Sequence, residues 1–200
     1  MPSPEINGLE RRAFAVELRV AKEEGKAPML RGHAAVFEQL SEDLGGFREK
    51  IAAGAFKDAI KGDDVRALFN HDPNFVLGRN KAGTLKLSED DTGLKVDIDP
   101  PDTQFARDLM VSIERGDISQ MSFGFTIPTG GQMWEEQEDG SYIRTITRAS
   151  LFDVSPVTFP AYPQTDVAVR ELRSFQTQRA AERQTPTSVL LARLDLLEKT

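Results

Sequence analysis

A chain of 200 residues, 39% hydrophobic and 28% charged, is long enough for one sizeable core and a tail, and not obviously for two domains. Its formal net charge of -7 speaks against a general nucleic-acid binder, whose footprint is basic and clustered. The absence of cysteine excludes a disulfide framework, a thiol nucleophile and a thiolate metal site, and any imidazole chemistry must use His33 or His71. No apolar run has the length of a secretory leader or a membrane span, so a soluble protein that stays where it is made is expected.

Residues 14–20, FAVELRV, alternate apolar and polar as a half-buried strand does, and MLRGHAAVF at 29–37 predicts a second strand. The double glycine of SEDLGGF marks a turn. EKIAAGAFKDAIKGD at 49–63 combines a short loop with a short helix, in which Phe56 and Ile60 are spaced to face the core. VRALFNHD at 65–72 predicts a strand ending in a polar corner, since Pro73 cannot continue a central ladder. GTLKLSEDDTGLKVDIDP at 83–100 predicts a hairpin closed by an acidic turn. The strongest helix is 102–116, where Phe105, Leu109 and Ile113 form one row, Asp102 or Thr103 can cap the start and Gly116 can end it. ISQMSFGFTI returns to strand, GGQMWEEQEDGSY is expected to be a charged turn, and 142–160 supplies one or two more strands. Many short strands with one clear helix predict a mixed, mostly-β fold: a closed or partly closed antiparallel β-barrel with packed helices. Residues 1–13 are expected to be a flexible N-terminus and 14–170 the main domain. Residues 171–200 are expected to be a polar tail, although Val169, Leu172 and Phe175 also allow a helix there.

Three positions carry candidate chemistry. His71 sits in FNHDPN, where a strand gives way to a turn, a good place to present a side chain at a cleft. The same corner is also explained by Asn70 and Asp72 bonding the local backbone. Ser122, in MSFGF, is either a strand serine with a backbone partner or a nucleophile, and Gly124 beside it allows a close approach. Asp153, in LFDVSPVTFPAYP, either faces solvent or orients a histidine and steadies its imidazolium. Ser155 is a competing hydroxyl, but Pro156 follows it as at a strand end. His33 is expected to be structural. SEDD at 88–91 matches no calcium loop, and a metal hydrolase built on His71 and Asp72 would lack further histidines. Arg144 and Arg148, on the approach to Asp153, could lend positive charge but are more simply salt-bridged surface residues.

An ordered set of motifs runs through residues 14–165: GHAAVF, EKIAAGAF, ALFNHDPNFVLGR, GTLKLSEDDTGLKVDIDPP, IERGDISQMSFGF and LFDVSPVTFPAYPQT. In this the chain resembles the prohead maturation proteases of tailed phages, of the HK97 type, which are related in fold to the herpesvirus assembly proteases. The resemblance implies a serine endopeptidase with His71 as general base, Ser122 as nucleophile and Asp153 as third member. Relatives commonly carry glutamate at the last position, so Asp153 keeps the charge on a shorter arm. It implies no cofactor and no metal. It further implies action on the scaffolding segment of the major capsid protein and on the protease itself, in the host cytoplasm inside the immature prohead. A dimer is the self-association suggested by the herpesvirus enzymes. No nucleic-acid or membrane partner is expected. The tail would be a propeptide, cut between about 165 and 190, or a targeting segment. The rival reading is a non-enzymatic capsid assembly or scaffold-associated protein with the same fold.

Overall fold

The structure, a computed structural model, describes residues 8–15, 18–25, 27–159 and 166–184. Strands come first: β1 (Glu10–Ala15), β2 (Leu18–Ala21), β3 (Met29–Val36) and β4 (Phe47–Ile51). Helix α1 (Lys57–Gly62) leads to β5 (Arg66–Phe69), β6 (Asp72–Arg79), a 3-10 turn at Asn80–Ala82, β7 (Leu85–Glu89) and β8 (Gly93–Ile98). Helix α2 (Gln104–Glu114) precedes β9 (Gln120–Thr126), β10 (Gln132–Glu136), β11 (Tyr142–Ile146) and β12 (Ser150–Val157). Helix α3 (Asp166–Gln184) forms a separate unit. No helix among the described residues is long and apolar enough to cross a membrane.

The strands form three sheets, ordered β1-β9-β12-β5-β6, β2-β3-β8-β7 and β10-β11-β4. The mostly-β expectation holds, but no ladder among the described residues closes the sheets into a barrel. Nor is the pairing wholly antiparallel, because β12–β5 and β11–β4 are parallel. Met121, Phe123 and Phe125 on β9 share one apolar core with Leu30 and Ala35 of β3, Leu94 and Val96 of β8, and Leu109 and Ile113 of α2. Phe123 lies at its middle, edge-on to Phe56 at 5.5 Å and stacked on Phe125 at 4.8 Å. Burying an aromatic ring of this size is worth roughly 2–3 kcal/mol. Thr103 caps α2 through the Ala106 N–H, and Gly116, at φ 82°, follows its end.

Several boundaries differ from expectation. The strand predicted over 14–20 is two strands, and β1 begins at Glu10, inside the segment expected to be flexible. The charged stretch around Met133 is strand β10, whose residues alternate between half-buried and exposed, as suits a sheet with one wet face. Pro73 does lie in a strand, but β6 is the sheet edge, where a missing N–H costs no ladder bond. Residues 171–184 of the segment expected to be a polar tail lie in α3, as the helical alternative allowed, and residues 185–200 lie outside the described residues.

Candidate active site

Phe69 pairs with Asp72, so Asn70 and His71 are the two loop residues of the β5–β6 hairpin. Both have positive φ, 52° and 58°, the signature of a type I′ turn, whose twist matches that of the strands. Asparagine suits this conformation. Histidine in a left-handed position costs about 1–2 kcal/mol, which the surroundings must offset. Asn70 supplies the anchor. Its backbone N–H donates to Pro156 O at 3.0 Å, its Oδ1 accepts from Thr158 N at 2.9 Å, and its Nδ2 donates to Thr158 Oγ1 at 3.2 Å. The hairpin tip is thereby pinned to the end of β12, and His71 is aimed back over the sheet.

Ser122 lies in β9, opposite Ala13 of β1 and opposite Ser155 of β12. Its neighbours Met121 and Phe123 are fully buried in the core, so the alternation of the strand puts Ser122 and Gly124 on the other face. Asp153 reaches that face only through a register shift. Leu151 pairs with the core residue Phe125, yet Asp153, two residues on, pairs with Gly124. The extra residue, Phe152, is a bulge that flips everything after it, which re-aims a carboxylate that regular alternation would send into the core. Gly124 is what makes room, since a Cβ there would lie 2.5 Å from Asp153 Oδ1.

The three side chains form one hydrogen-bonded line. His71 Nδ1 is 2.5 Å from Asp153 Oδ2, and His71 Nε2 is 2.7 Å from Ser122 Oγ. A carboxylate only accepts, so Nδ1 carries the proton and Nε2 is left to accept from the serine hydroxyl. Ser155 donates to the same Asp153 Oδ2 at 2.6 Å, so the competing hydroxyl holds the carboxylate and does not reach the imidazole as Ser122 does. The site is sheltered: the His71 side chain is 8% exposed and Ser122 0%. A base, a hydroxyl on its free nitrogen and a buried anion on the other nitrogen can move a proton off the hydroxyl as it attacks an electrophile. Sequence reasoning missed the supporting roles of Ser155, Asn70 and the bulge. The one legible signal was Asn-His at a strand end, since asparagine favours left-handed turns.

The other polar candidates lie apart from this line. His33 of β3 pairs at 2.9 Å with Asp90 in the β7–β8 turn, and that hydrogen bond, aided by the Thr92 and Gly93 N–H groups, holds the Asp90 carboxyl below its ordinary value. Asp72 accepts from Asn74 N and Nδ2, both at 2.8 Å, in a local turn. Among the described residues no group of three or more histidines and acids is placed to hold a metal ion. Arg148 is exposed and donates to Thr129 O. Arg144, expected at the surface, is fully buried: it donates to both Glu10 oxygens at 2.8 Å and to Glu49 Oε2 at 2.9 Å. Arg12 bonds the same two carboxylates, at 2.7 Å to Glu10 and 2.8 Å to Glu49.

A family model described as Caudovirus prohead serine protease matches residues 15–180. No curated protein matches the sequence. A solved structure, the bacteriophage T4 capsid assembly protease gp21, is similar over 74% of this chain and 96% of that one, at 12% identity and a TM-score of 0.48.

Proposed function

We propose that Ser122, His71 and Asp153 are the peptidase centre of this chain, which belongs to the caudovirus prohead serine protease family. The observation that carries this reading is the unbroken hydrogen-bond line from Asp153 through His71 to Ser122. In the proposed cycle Ser122 Oγ attacks the scissile carbonyl while His71 Nε2 takes the hydroxyl proton. The imidazolium then gives that proton to the leaving amine as the C–N bond breaks, leaving an acyl-serine. Water attacks the ester, His71 removes its proton, and the proton returns to Ser122 as the acid departs. Asp153 stays ionised, fixes the tautomer and steadies the imidazolium. The hydroxyl is fully enclosed in this arrangement, so entry of a peptide requires a local opening of the face above β9.

The substrate reading is the scaffolding segment of the major capsid protein, cut inside the immature prohead in the host cell. The family membership supports it. A herpesvirus-type barrel, a dimer and self-cleavage near the C-terminus belong to the same proposal. Support for the barrel comes from the core that the five- and four-stranded sheets share with α2. A self-cleavage site within 166–184 would require α3 to unwind, because a helix cannot extend into a cleft.

The test is co-expression of the capsid protein with wild type or Ser122→Ala. The expected outcome is trimming by the wild type alone, a loss of about 10^4- to 10^6-fold in rate. Equal trimming in both would overturn the assignment and favour the non-enzymatic alternative. Mass spectrometry of the two purified chains reads self-cleavage: a shortened C-terminus should appear in the wild type only.

A further inference from the structure

The face that carries Ser122 continues, strand by strand, to an open sheet edge. Ser122 pairs with Ser155, and the β12–β5 ladder runs on past Val154–Ala67, as the Asn70 N–H bond to Pro156 O shows. Ser155 therefore stands beside Leu68. Leu68 in turn pairs with Val76 of the edge strand β6. Ser122, Ser155, Leu68 and Val76 form one row across four strands, all on the face toward which His71 is aimed.

Ser122, Ser155 and Leu68 are buried in this arrangement, and the row opens only at its far, apolar end. Val76 is 46% exposed and Phe75 40%, in a strand whose first half is otherwise polar or proline. Between the Phe69–Asp72 and Leu68–Val76 pairs, residues 73–75 have no partner on β5, so the edge bulges there. Phe75 is braced on Phe105 of α2 at 4.6 Å, and Phe105 on Phe69 at 5.8 Å. The aromatic stack keeps the bulge fixed and leaves the Val76 side chain presented beside Leu68. Three strand spacings of about 4.8 Å put Val76 roughly 14 Å from Ser122, about four residues of extended peptide.

We propose that Val76, with Leu68 beside it, is a specificity subsite for an apolar substrate side chain about four residues from the scissile bond. The inference rests on the peptidase reading above and names a substrate feature that reading leaves open. The occupant is the extended substrate chain, because the row is continuous with the nucleophile and ends beside the hairpin that carries the base.

The experiment uses a peptide library made by Glu-specific digestion of a bacterial lysate, incubated with wild type, Val76→Glu or Ser122→Ala chains, with cut sites mapped by mass spectrometry. Wild-type cuts should be enriched in Leu, Ile, Val or Phe at about the fourth position on one side. Val76→Glu should cut those peptides about tenfold more slowly and those with Lys or Arg at that position faster. No apolar enrichment, or one profile shared by wild type and Val76→Glu, overturns the subsite while Ser122-dependent cutting upholds the peptidase. Cutting that persists unchanged in Ser122→Ala, or a wild type that cuts nothing, overturns both.

Discussion

Two buried polar clusters sit on opposite faces of the five-stranded sheet, and they differ in kind. The Glu10–Arg12–Glu49–Arg144 network sets two guanidiniums against two carboxylates, and Arg144 also reaches Gln132 at 2.6 Å. Its charges cancel and its donors cannot release a proton near neutral pH. The His71–Asp153–Ser122 line has one anion, one imidazole and hydroxyls, so it is left one positive charge short of balance. That deficit is filled when the imidazolium forms. Burial of charge is common to both clusters; a proton with somewhere to go belongs only to the second.

The comparison is broken most sharply at Asp153. Asp153→Asn should keep the fold and lower the rate of peptide cleavage by about 10^3- to 10^4-fold, because an amide can donate to Nδ1 and stabilise the wrong tautomer. Single-turnover kinetics with circular dichroism would check both halves, and unchanged activity would make Asp153 a structural residue. The converse break is Arg144→Met, which leaves Glu10 and Glu49 undercompensated in a buried setting. Urea unfolding should show a loss of about 3–5 kcal/mol, with activity per folded molecule retained.

A finer test is Gly124→Ala. Its new Cβ would press on the Asp153 carboxylate, and a displacement of a few tenths of an ångström to 1 Å should cost up to about 100-fold in rate with little change in stability. The smallest effect is on pH. Burial alone would raise the Glu10 carboxyl, but hydrogen bonds and charge from Arg144 and Arg12 outweigh it and hold the group below its ordinary value of 4.5. The folded state then binds fewer protons than the unfolded one as pH falls below that value, so the stability Glu10 contributes is present above it and is lost through the folded-state titration. The stability gap between wild type and Glu10→Gln should therefore narrow as pH drops below 4.5, measured by denaturant melts from pH 6 to 3.

How legible this was in the sequence depends on periodicity. Helix α2 and the β7–β8 hairpin were readable because their apolar rows repeat at the helical or strand period. The hairpin carrying His71 was readable as a corner from Asn70 and Pro73. Asp153 was not, on residues alone: the Phe152 bulge changes which face it takes, and a register shift leaves no mark on alternation. Its pairing with His71 came from the ordered resemblance, and the geometry now supplies the physical reason. Arg144 was misread because a lone arginine among polar residues looks solvated, and the two glutamates that compensate it lie far away in the chain, at positions 10 and 49.

The order of strands in this sheet also bears on when the proposed centre could assemble during synthesis. β5, next to His71, and β9, which carries Ser122, are not neighbours; β12 lies between them and is the last strand among the described residues. Until residues 150–157 leave the ribosome, the sheet lacks its middle strand, about 10 Å of width by ordinary strand spacing. The hairpin tip has no Pro156 carbonyl or Thr158 to grip, and the left-handed turn has nothing to hold its strain. A nascent chain or one truncated before β12 thus carries both Ser122 and His71 without bringing them together. If Ser122 and His71 are the proposed pair, cleavage competence would arrive only with the completed sheet, and the long-range closure that makes such a topology slow to fold would serve as a clock.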